Sequence, residues 1–383
     1  MKTITRHPAL TTFMLLVWTL QMTVEVLAVE FVIVGARQTG MGGAGVATTT
    51  DSLATYWNPA GMAMERAFDI RGQVSAQFTD RIGINQTITD INAINFSDTS
   101  AANQARLQAL IDKLANPNAS ISAAGAAGLY FKGYSGDHYF GMNVSDVATG
   151  GTYMSRVDRN ITVAGGRLTN ASQVTTRALE ARQIAFSYAY ALLQHTLSLG
   201  ASLKVIEGAA YNSQRALIGS SGNFEMGNLG KANINHAVGI DVGAVYKPVS
   251  WFQAGIVGKD LNAPEFDAPG GHKFQLNPQF RGGVAVKPYE SLTLAFDSDI
   301  NKNSTLMPHI KSRVMSLGGE QTFFEKALAL RLGVLKNVED ANSYFTPTAG
   351  FGFRAGGFSL DIGGGYDFRE RGALGSFTVG WSW

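Results

Sequence analysis

The 383-residue chain contains no cysteine, and only 16% of its residues are charged. The absence of cysteine excludes a disulfide framework, a thiolate metal site, a cysteine nucleophile and a lipid-modified cysteine. A formal net charge of only +2 gives no reason to expect nucleic acid as a partner. After residue 28, no continuous apolar run reaches the length of a transmembrane helix.

Motifs of common enzymes are missing as well. The chain has no G-x-x-x-x-G-K-[ST], no G-x-S-x-G and no H-E-x-x-H. The histidines after residue 28 are scattered, at His138, His195, His236, His272 and His309. Acidic and histidine side chains could still meet in the folded chain, so a hydrolase stays open as a minor alternative. The sequence therefore predicts a protein that is not an enzyme, with no catalytic residue, no cofactor and no metal site.

The N-terminus has the pattern of an export signal. Lys2 and Arg6 give it a basic start, residues 10–20 are mostly apolar, and Val26-Leu27-Ala28 has residues that a signal peptidase can read. A membrane anchor is the alternative, but this apolar core is short and is followed by Gln21. We expect residues 1–28 to be a cleaved signal peptide.

Residues 29–45 read VEFVIVGARQTGMGGAG and contain the spacing G-x-G-x-x-G. Alone, this spacing is the fingerprint of a dinucleotide-binding unit, in which a helix follows the glycines. Here the glycines lead into Thr48-Thr49-Thr50, which are poor helix formers, and no alternation of strands and helices follows. The sequence therefore favours a separate N-terminal segment, residues 29–66, over a nucleotide site.

Beyond residue 66, apolar and polar residues alternate with the period of β-strands. Between residues 196 and 205, one face carries Leu197, Leu199, Ala201, Leu203 and Val205, and the other carries Ser198, Gly200, Ser202 and Lys204. Fourteen segments with strand character are found: 67–79, 120–132, 137–147, 179–191, 195–209, 233–247, 251–260, 279–287, 291–300, 312–322, 326–335, 344–354, 357–366 and 375–383.

This period alone does not separate a soluble β-sandwich from a transmembrane barrel. The strand number is even, and the connections alternate between short and long, which is typical of bacterial outer-membrane barrels. The last segment, SFTVGWSW, ends in an aromatic residue, as outer-membrane barrels commonly do. We therefore predict an all-β fold: a 14-stranded antiparallel transmembrane β-barrel over residues 67–383, with short turns on the periplasmic side.

One loop departs from the strand pattern. In the outer loop 80–119, residues 101–115 place four apolar side chains at helical spacing: Leu107, Leu110, Ile111 and Leu114. One interpretation is a helix that packs on the barrel rim. The other is that this apolar face lines the entrance for an apolar ligand.

The N-terminal segment carries a family resemblance. It contains G-A-R…G-M-G-G-A-G, then an acidic residue, then W-N-P-A-G at residues 57–61. This order resembles the FadL-like outer-membrane proteins, which include the long-chain fatty acid transporter, aromatic hydrocarbon channels and PorV-like barrels of a secretion system. The resemblance is closest to the conjugal transfer TraF-like branch. Residues 257–266 (VGKDLNAPEF) resemble another recurring barrel segment of these branches.

The resemblance implies a bacterial outer-membrane barrel with residues 29–66 folded in its lumen as a hatch. The expected hatch or gate residues are Gly40, Gly42, Gly43, Gly45, Asn58, Pro59 and Ala60. Glycine suits backbone that passes close to other backbone, and a wide barrel that is not an open pore needs filling. Polar residues predicted to face inward form a lumen network that holds the hatch: Asp241, Arg281, Asp297, Arg331, Arg354 and Asp361.

Two functions fit these expectations. The first is passive transport of small hydrophobic or amphipathic molecules, gated by the hatch. The second is a non-transporting scaffold or accessory barrel of a conjugation or secretion apparatus. The expected partners are outer-membrane lipid, a hydrophobic small-molecule ligand, and periplasmic or surface proteins, with no nucleic acid.

Overall fold

A computed structural model describes residues 31–218, 229–308, 310–341 and 343–383, which form a closed antiparallel barrel of fourteen strands. The strands are β1 (Asp69–Asp80), β2 (Ser120–Ser135), β3 (His138–Arg156), β4 (Gln173–Leu192), β5 (Leu197–Ala216), β6 (Asn233–Val249), β7 (Phe252–Lys259), β8 (Gln279–Tyr289), β9 (Leu292–Asp299), β10 (Val314–Phe323), β11 (Leu328–Asn337), β12 (Thr346–Ala355), β13 (Phe358–Asp367) and β14 (Gly372–Ser382). The predicted barrel and its strand number are confirmed. The predicted signal peptide, residues 1–28, lies outside the described residues.

The barrel closes where the first strand meets the last. β1 pairs antiparallel with β14, so that Ile70 lies opposite Trp381 and Ser75 lies opposite Ser376. Beyond this ladder, the backbones of Phe68 and Trp383 exchange two hydrogen bonds of 3.0 Å. Closure leaves no sheet edge, which is the condition for strands to cross lipid.

Each strand has one face toward the lumen and one toward the outside. On β5 the side chains of Ser198 and Lys204 are buried, whereas Leu199 and Leu203 are half exposed. The outward faces together form an apolar band, as a barrel in contact with lipid requires. Aromatic side chains on this band lie near both ends of the strands: Trp251, Tyr289 and Phe324 at the turns, and Phe78, Phe280 and Phe368 toward the loops.

The strands differ in length. β4 and β5 have 20 residues each, whereas β7 and β9 have 8. We call the end of the barrel with the short connections the turn end and the end with the long connections the loop end. Since a tilted strand crosses a bilayer in about ten residues, the additional residues of β2–β6 extend past the apolar band at the loop end. No helix in the described part of the chain is long and apolar enough to span a membrane.

At the loop end, apolar side chains of the loops pack against the extended strands in a cluster that we call the loop core, which includes Ile88, Leu107 and Ile121. The loop after β1 contains two helices, α3 (Ile84–Asn92) and α4 (Ala101–Leu114), numbered after α1 (Ala36–Gly40) and α2 (Ala54–Trp57). α4 matches the helix expected from residues 101–115, whereas α3 was not predicted. Its apolar residues are isoleucines at positions 84, 88 and 91, which also suit a strand, so only their packing against α4 decides for a helix.

Candidate functional site

The first described residues fill the turn-end half of the barrel. We call residues 31–66 the lumen segment. Its buried side chains, including Val34 and Trp57, pack against Ala126 and Tyr130 of β2 and Val257 of β7. The segment therefore lies inside the barrel, and it covers residues 31–66 of the expected stretch 29–66, whose role as a hatch stays a prediction.

Glycines let the lumen segment turn sharply after α1. Gly42 and Gly43 have φ values of 68° and 85°, a region that residues with a side chain rarely adopt. The Gly43 N–H also donates to the Gln38 carbonyl at 2.8 Å. Gly45 lies against the indole ring of Trp57, where a Cβ would come within 2.6 Å of the ring. Trp57 in turn donates its Nε1–H to the Val34 carbonyl at 2.8 Å.

Asn58 ties the lumen segment to two strands. Its Nδ2 donates to the carbonyls of Ala244 on β6 (3.2 Å) and Ile256 on β7 (3.3 Å), as well as to Val46 of the segment (3.3 Å). Its Oδ1 accepts the N–H of Ala60 at 3.2 Å and so caps the 3₁₀ helix Pro59–Met64. Extended backbone is favoured before proline, which explains why an Asn-Pro pair occupies this turn.

The barrel wall contributes glycines of its own at the contact with the lumen segment. Nine inward-facing glycines, one on each of nine strands, form what we call the glycine belt. It consists of Gly141, Gly200, Gly243, Gly255, Gly283, Gly318, Gly333, Gly350 and Gly363. A Cβ built on any of them would lie within 3.3 Å of an atom of the lumen segment.

Much of the glycine belt is arranged as cross-strand pairs. Gly200 lies opposite Gly243, Gly255 opposite Gly283, Gly318 opposite Gly333, and Gly350 opposite Gly363. At Gly350 the approach is backbone to backbone, with the Gly40 Cα 3.0 Å from a built Cβ. Missing Cβ atoms on both sides of a ladder create a shallow groove, and the backbone of the lumen segment lies in it.

Buried charges reinforce this contact on β8 and β9. The Asp297 carboxylate accepts the backbone N–H groups of Gly45 and Val46, both at 2.8 Å. Arg281 lies 3.7 Å from Asp297 and donates to the Gly43 carbonyl at 3.0 Å. Hydrogen bonds to an ionised group are stronger than neutral ones, so this pair fixes the turn at residues 43–46.

A second chain of ion pairs continues along the adjoining wall, from β10 to β1. Arg37 of the lumen segment makes a two-pronged contact with Glu320 at 2.8 and 2.9 Å. Glu320 also accepts from Arg331 at 2.6 Å, and Arg331 pairs with Asp361 at 2.7 Å. Asp361 lies 3.8 Å from Arg71 on β1. Alternating charges thus link four strands to α1.

Two members of the expected network form no hydrogen bond or ion pair with the described residues of the lumen segment, although Asp241 lines a cavity together with Tyr56. Asp241 pairs with Lys204 at 2.7 Å and accepts the N–H of Asp260 at 2.8 Å. Arg354 is half buried near a turn and forms no ion pair within the described residues. Arg37, Glu320 and the glycine belt were missed at the sequence level. A glycine on the polar face of a strand gives no signal of what approaches it.

Two carboxyls of the lumen segment have shifted pKa values. Burial raises the pKa of Asp51, and the guanidinium of Arg71, 3.3 Å away, opposes this only in part. Burial also acts to raise the pKa of Glu65, but the Thr50 hydroxyl, which donates to it at 2.6 Å, and the Lys132 ammonium bring it below the ordinary value.

The loop-end half of the lumen is filled by loops. A hairpin of two short strands, Glu265–Ala268 and His272–Gln275, buries Phe266 and Phe274 against the inward faces of β4 and β5. Leu306 and Met307, from the loop after β9, join the same cluster. Two small cavities lie beside these loops in the described part of the lumen, of about 110 Å³ and 50 Å³.

The helix proposed to line a ligand entrance packs within the loop core. Leu107, Ile111 and Leu114 of α4 are fully buried against α3 and the outer ends of the strands, and Leu110 is partly buried. A groove larger than the two lumen cavities lies near this helix. This groove, of about 570 Å³, is lined by Phe78 of β1, by Asn85 of α3, and by small residues of β2–β4 that include Ala123, Gly125, Ala148, Gly150 and Ala178.

Known proteins resemble this chain in sequence family and in fold. The family model "F plasmid transfer operon, TraF, protein" matches residues 55–299. A Pseudomonas aeruginosa FadL homologue superposes with a TM-score of 0.57 at 12% identity, covering 92% of this chain and 99% of that one.

Two toluene transporters have the same fold. TbuX of Ralstonia pickettii gives a TM-score of 0.54 at 14% identity, and TodX of P. putida gives 0.52 at 13%; each covers 91% of this chain and 97% of its own. No curated protein sequence matches the chain. The expected resemblance is confirmed: the chain belongs to the TraF family of the F plasmid transfer operon, and its barrel has a FadL-like fold.

Proposed function

We propose that the barrel passively transports small hydrophobic or amphipathic molecules across the outer membrane, with the lumen segment as its gate. The groove of about 570 Å³ carries this proposal. It lies at the loop end of the apolar band, and its size is within the range of small-molecule sites. Outward-facing Ala123, Ala148 and Ala178 make its floor apolar, and Phe78 and Tyr211 border it.

The wall behind this groove is thin. Five residues line both the groove and the lumen cavity of about 110 Å³: Phe78, Ala123, Ala124, Thr149 and Gly150. Four of these are small, so little side-chain volume separates the groove from the lumen. An apolar molecule held in the groove is therefore about one strand thickness, roughly 5–10 Å, from the interior. The toluene transporters of the same fold support an apolar substrate by analogy only.

The test is uptake of radiolabelled toluene by cells that express the protein. We expect Ala148→Trp, which fills the groove, to reduce the initial uptake rate by about tenfold. Ala349→Trp is the matched control, because Ala349 is also an exposed alanine on the outward face, but on β12. Equal uptake by Ala148→Trp and Ala349→Trp would refute the role of the groove.

Gating is tested by removing the lumen segment. Deletion of residues 35–61 takes away the contacts to the glycine belt, so it should empty the turn-end half of the lumen, leave the loops at the other end as the remaining barrier and raise nonspecific permeability in liposome swelling. The control is Gly319→Ala, a full-length variant whose change faces outward, next to Gly318 on β10. A deleted barrel that folds, yet takes up apolar probes at the unchanged rate, argues against the segment as gate.

A scaffold for a conjugation or secretion apparatus is the second candidate. The family name favours it, and so does the filling of the lumen from both ends, which leaves no wide passage among the described residues. This role predicts that periplasmic or surface proteins co-purify with the barrel, and that exchanging the outer loop 80–119 abolishes assembly. Efficient toluene uptake without any co-purifying protein decides for transport.

A further inference from the structure

The lumen segment is attached unevenly around the barrel. The glycine belt holds it on nine of the fourteen strands, and β1 and β14 are two neighbouring strands among the five without a belt glycine. The contacts of the segment with these two strands are polar. Ala36 donates its N–H to the Thr378 hydroxyl at 2.9 Å, and Gly35 donates to the Ser75 hydroxyl at 3.3 Å. Nearer the turn end, Ser52 N–H donates to Asp69 and Arg71 pairs with Asp51.

Open space lies on the loop-end side of the Ala36–Thr378 and Gly35–Ser75 hydrogen bonds. A cavity of about 10 Å³, the size of one water molecule, lies between Ile33 and Thr39 of the segment and Ser75 and Gln77 of β1. It adjoins the cavity of about 110 Å³ at the loop end, because Gln77, Ala124 and Leu374 line both. We call the lumen side of the β14–β1 strand pair the β14–β1 seam. Space therefore follows this seam from the loop end down to Gly35.

The middle of this seam, at residues 73–79 of β1, carries no charged side chain on its inward face and is rich in hydroxyls; charged side chains lie only toward its two ends, Asp69 and Arg71 at one and Arg81, Asp367 and Glu370 at the other. Ser75 and Ser376, which face each other across the seam, have their Oγ atoms 2.8 Å apart. The Ser75 hydroxyl also lies 2.8 Å from the Gln73 side-chain oxygen, and Gln73 donates to the Tyr130 hydroxyl at 3.3 Å. Hydroxyls rotate and serve as donor or acceptor, so this row can exchange partners with a hydroxyl-bearing solute without stranding a buried polar group.

We propose that the β14–β1 seam is a second, polar path through the barrel, which admits small uncharged hydroxyl-bearing solutes and is closed where Gly35 and Ala36 bond Ser75 and Thr378. Ions are rejected, because the constriction offers no charge to replace their hydration. Opening at this constriction requires two hydrogen bonds to break, and nearer the turn end the path passes the Ser52–Asp69 hydrogen bond and the Asp51–Arg71 ion pair. Displacement from the glycine belt would instead separate tightly packed backbone on nine strands. This path deepens the transport proposal by naming a solute class that the apolar groove does not serve.

The absence of cysteine makes the path testable by single-cysteine labelling. Gln77→Cys places the thiol in the seam. The matched control is Gln183→Cys, which also replaces an inward-facing glutamine, but one that lines the separate cavity of about 50 Å³. Erythritol-driven swelling of vesicles is measured before and after reaction with benzyl methanethiosulfonate, and mass spectrometry quantifies the labelling. Labelling of Gln77→Cys should slow swelling by about fivefold or more, and labelling of Gln183→Cys by less than about twofold.

A second variant tests the closure. Thr378→Val keeps the shape of the side chain but removes the acceptor for the Ala36 N–H, so erythritol swelling should become about twofold to threefold faster. The seam is refuted if Gln77→Cys resists labelling, if its labelling leaves swelling unchanged, or if Thr378→Val swells at the original rate. Toluene uptake without any erythritol swelling refutes the seam and leaves the transport proposal standing. Failure of both uptake and swelling refutes both.

Discussion

Replacing Gly318 with alanine adds a methyl group where Met41 of the lumen segment now packs. A Cβ built at this position lies 2.6 Å from the Met41 Cβ and 2.8 Å from its carbonyl carbon. Real Cβ atoms essentially never approach other heavy atoms closer than 3.0 Å. Either the segment or β10 must therefore move, and neither is free to do so alone, because Gly333 opposite Gly318 receives the same stretch of backbone.

The neighbouring residue provides the control. Gly319 faces outward on the same strand, and its built Cβ meets only Leu294 Cδ2, at 3.3 Å, and a carbonyl oxygen at 3.9 Å. Alanine in place of an unconstrained glycine stabilises by about 0.4–1 kcal/mol, because the unfolded chain loses freedom. Overpacking in a dense interior costs about 1–3 kcal/mol. Gly318→Ala should therefore be less stable than Gly319→Ala by about 2 kcal/mol, a factor of roughly 30 in the folding equilibrium.

Two measurements check this difference. Urea unfolding in phospholipid vesicles, followed by tryptophan fluorescence, gives the free energy of unfolding of each variant. Trypsin cleavage after Arg37, whose side chain is only 17% exposed, reports whether the lumen segment has left its groove. Gly318→Ala should unfold at lower urea and be cut faster than Gly319→Ala. If the two variants behave alike in both assays, the glycine belt does not hold the segment and the argument from close approach is wrong.

Three further predictions concern single contacts. Asp297→Asn removes one of the two carboxylates beside Arg281 and leaves Asp299 at 3.7 Å, so it should cost about 1–3 kcal/mol in urea unfolding; the added change Arg281→Met should recover part of this, and full additivity would contradict the pairing. Asn58→Leu removes a donor to three carbonyls and the acceptor for the Ala60 N–H and should cost about 1–3 kcal/mol in the same assay, so an unchanged midpoint would show that these bonds add nothing. Leu107→Ala should speed hydrogen exchange in α4, since a buried leucine is lost; unchanged toluene uptake is expected, and a fall in uptake would support α4 as the ligand entrance.

The different attachments of the lumen segment bear on how the barrel could open. The belt side is held by close backbone packing, which any shift of more than a few tenths of an ångström disrupts. The seam side is held by separate hydrogen bonds, each worth about 1 kcal/mol net. We therefore expect movement of the segment to begin at residues 35–36, beside β1 and β14, with residues 40–46 remaining in place.

The sequence by itself determined the barrel. Alternation of apolar and polar residues identifies a strand whenever one face meets lipid and the other a polar lumen, and all fourteen strands lie where this alternation occurs. The strand ends were less well defined. β4 begins at Gln173 rather than near residue 179, because the extension past the apolar band carries small and polar residues that do not alternate.

Only the tertiary structure decided what faces what inside the lumen. The alternation marks Gly318 and Gly333 as inward residues, but the backbone of Met41 reaches them only after strands far apart in the chain have closed into a barrel. The same holds for Arg37, whose partner Glu320 is 283 residues away. α3 and the groove beside it also depend on long-range packing. Local periodicity encodes which face of a strand is buried, whereas the neighbour across the lumen is set by closure of the whole sheet.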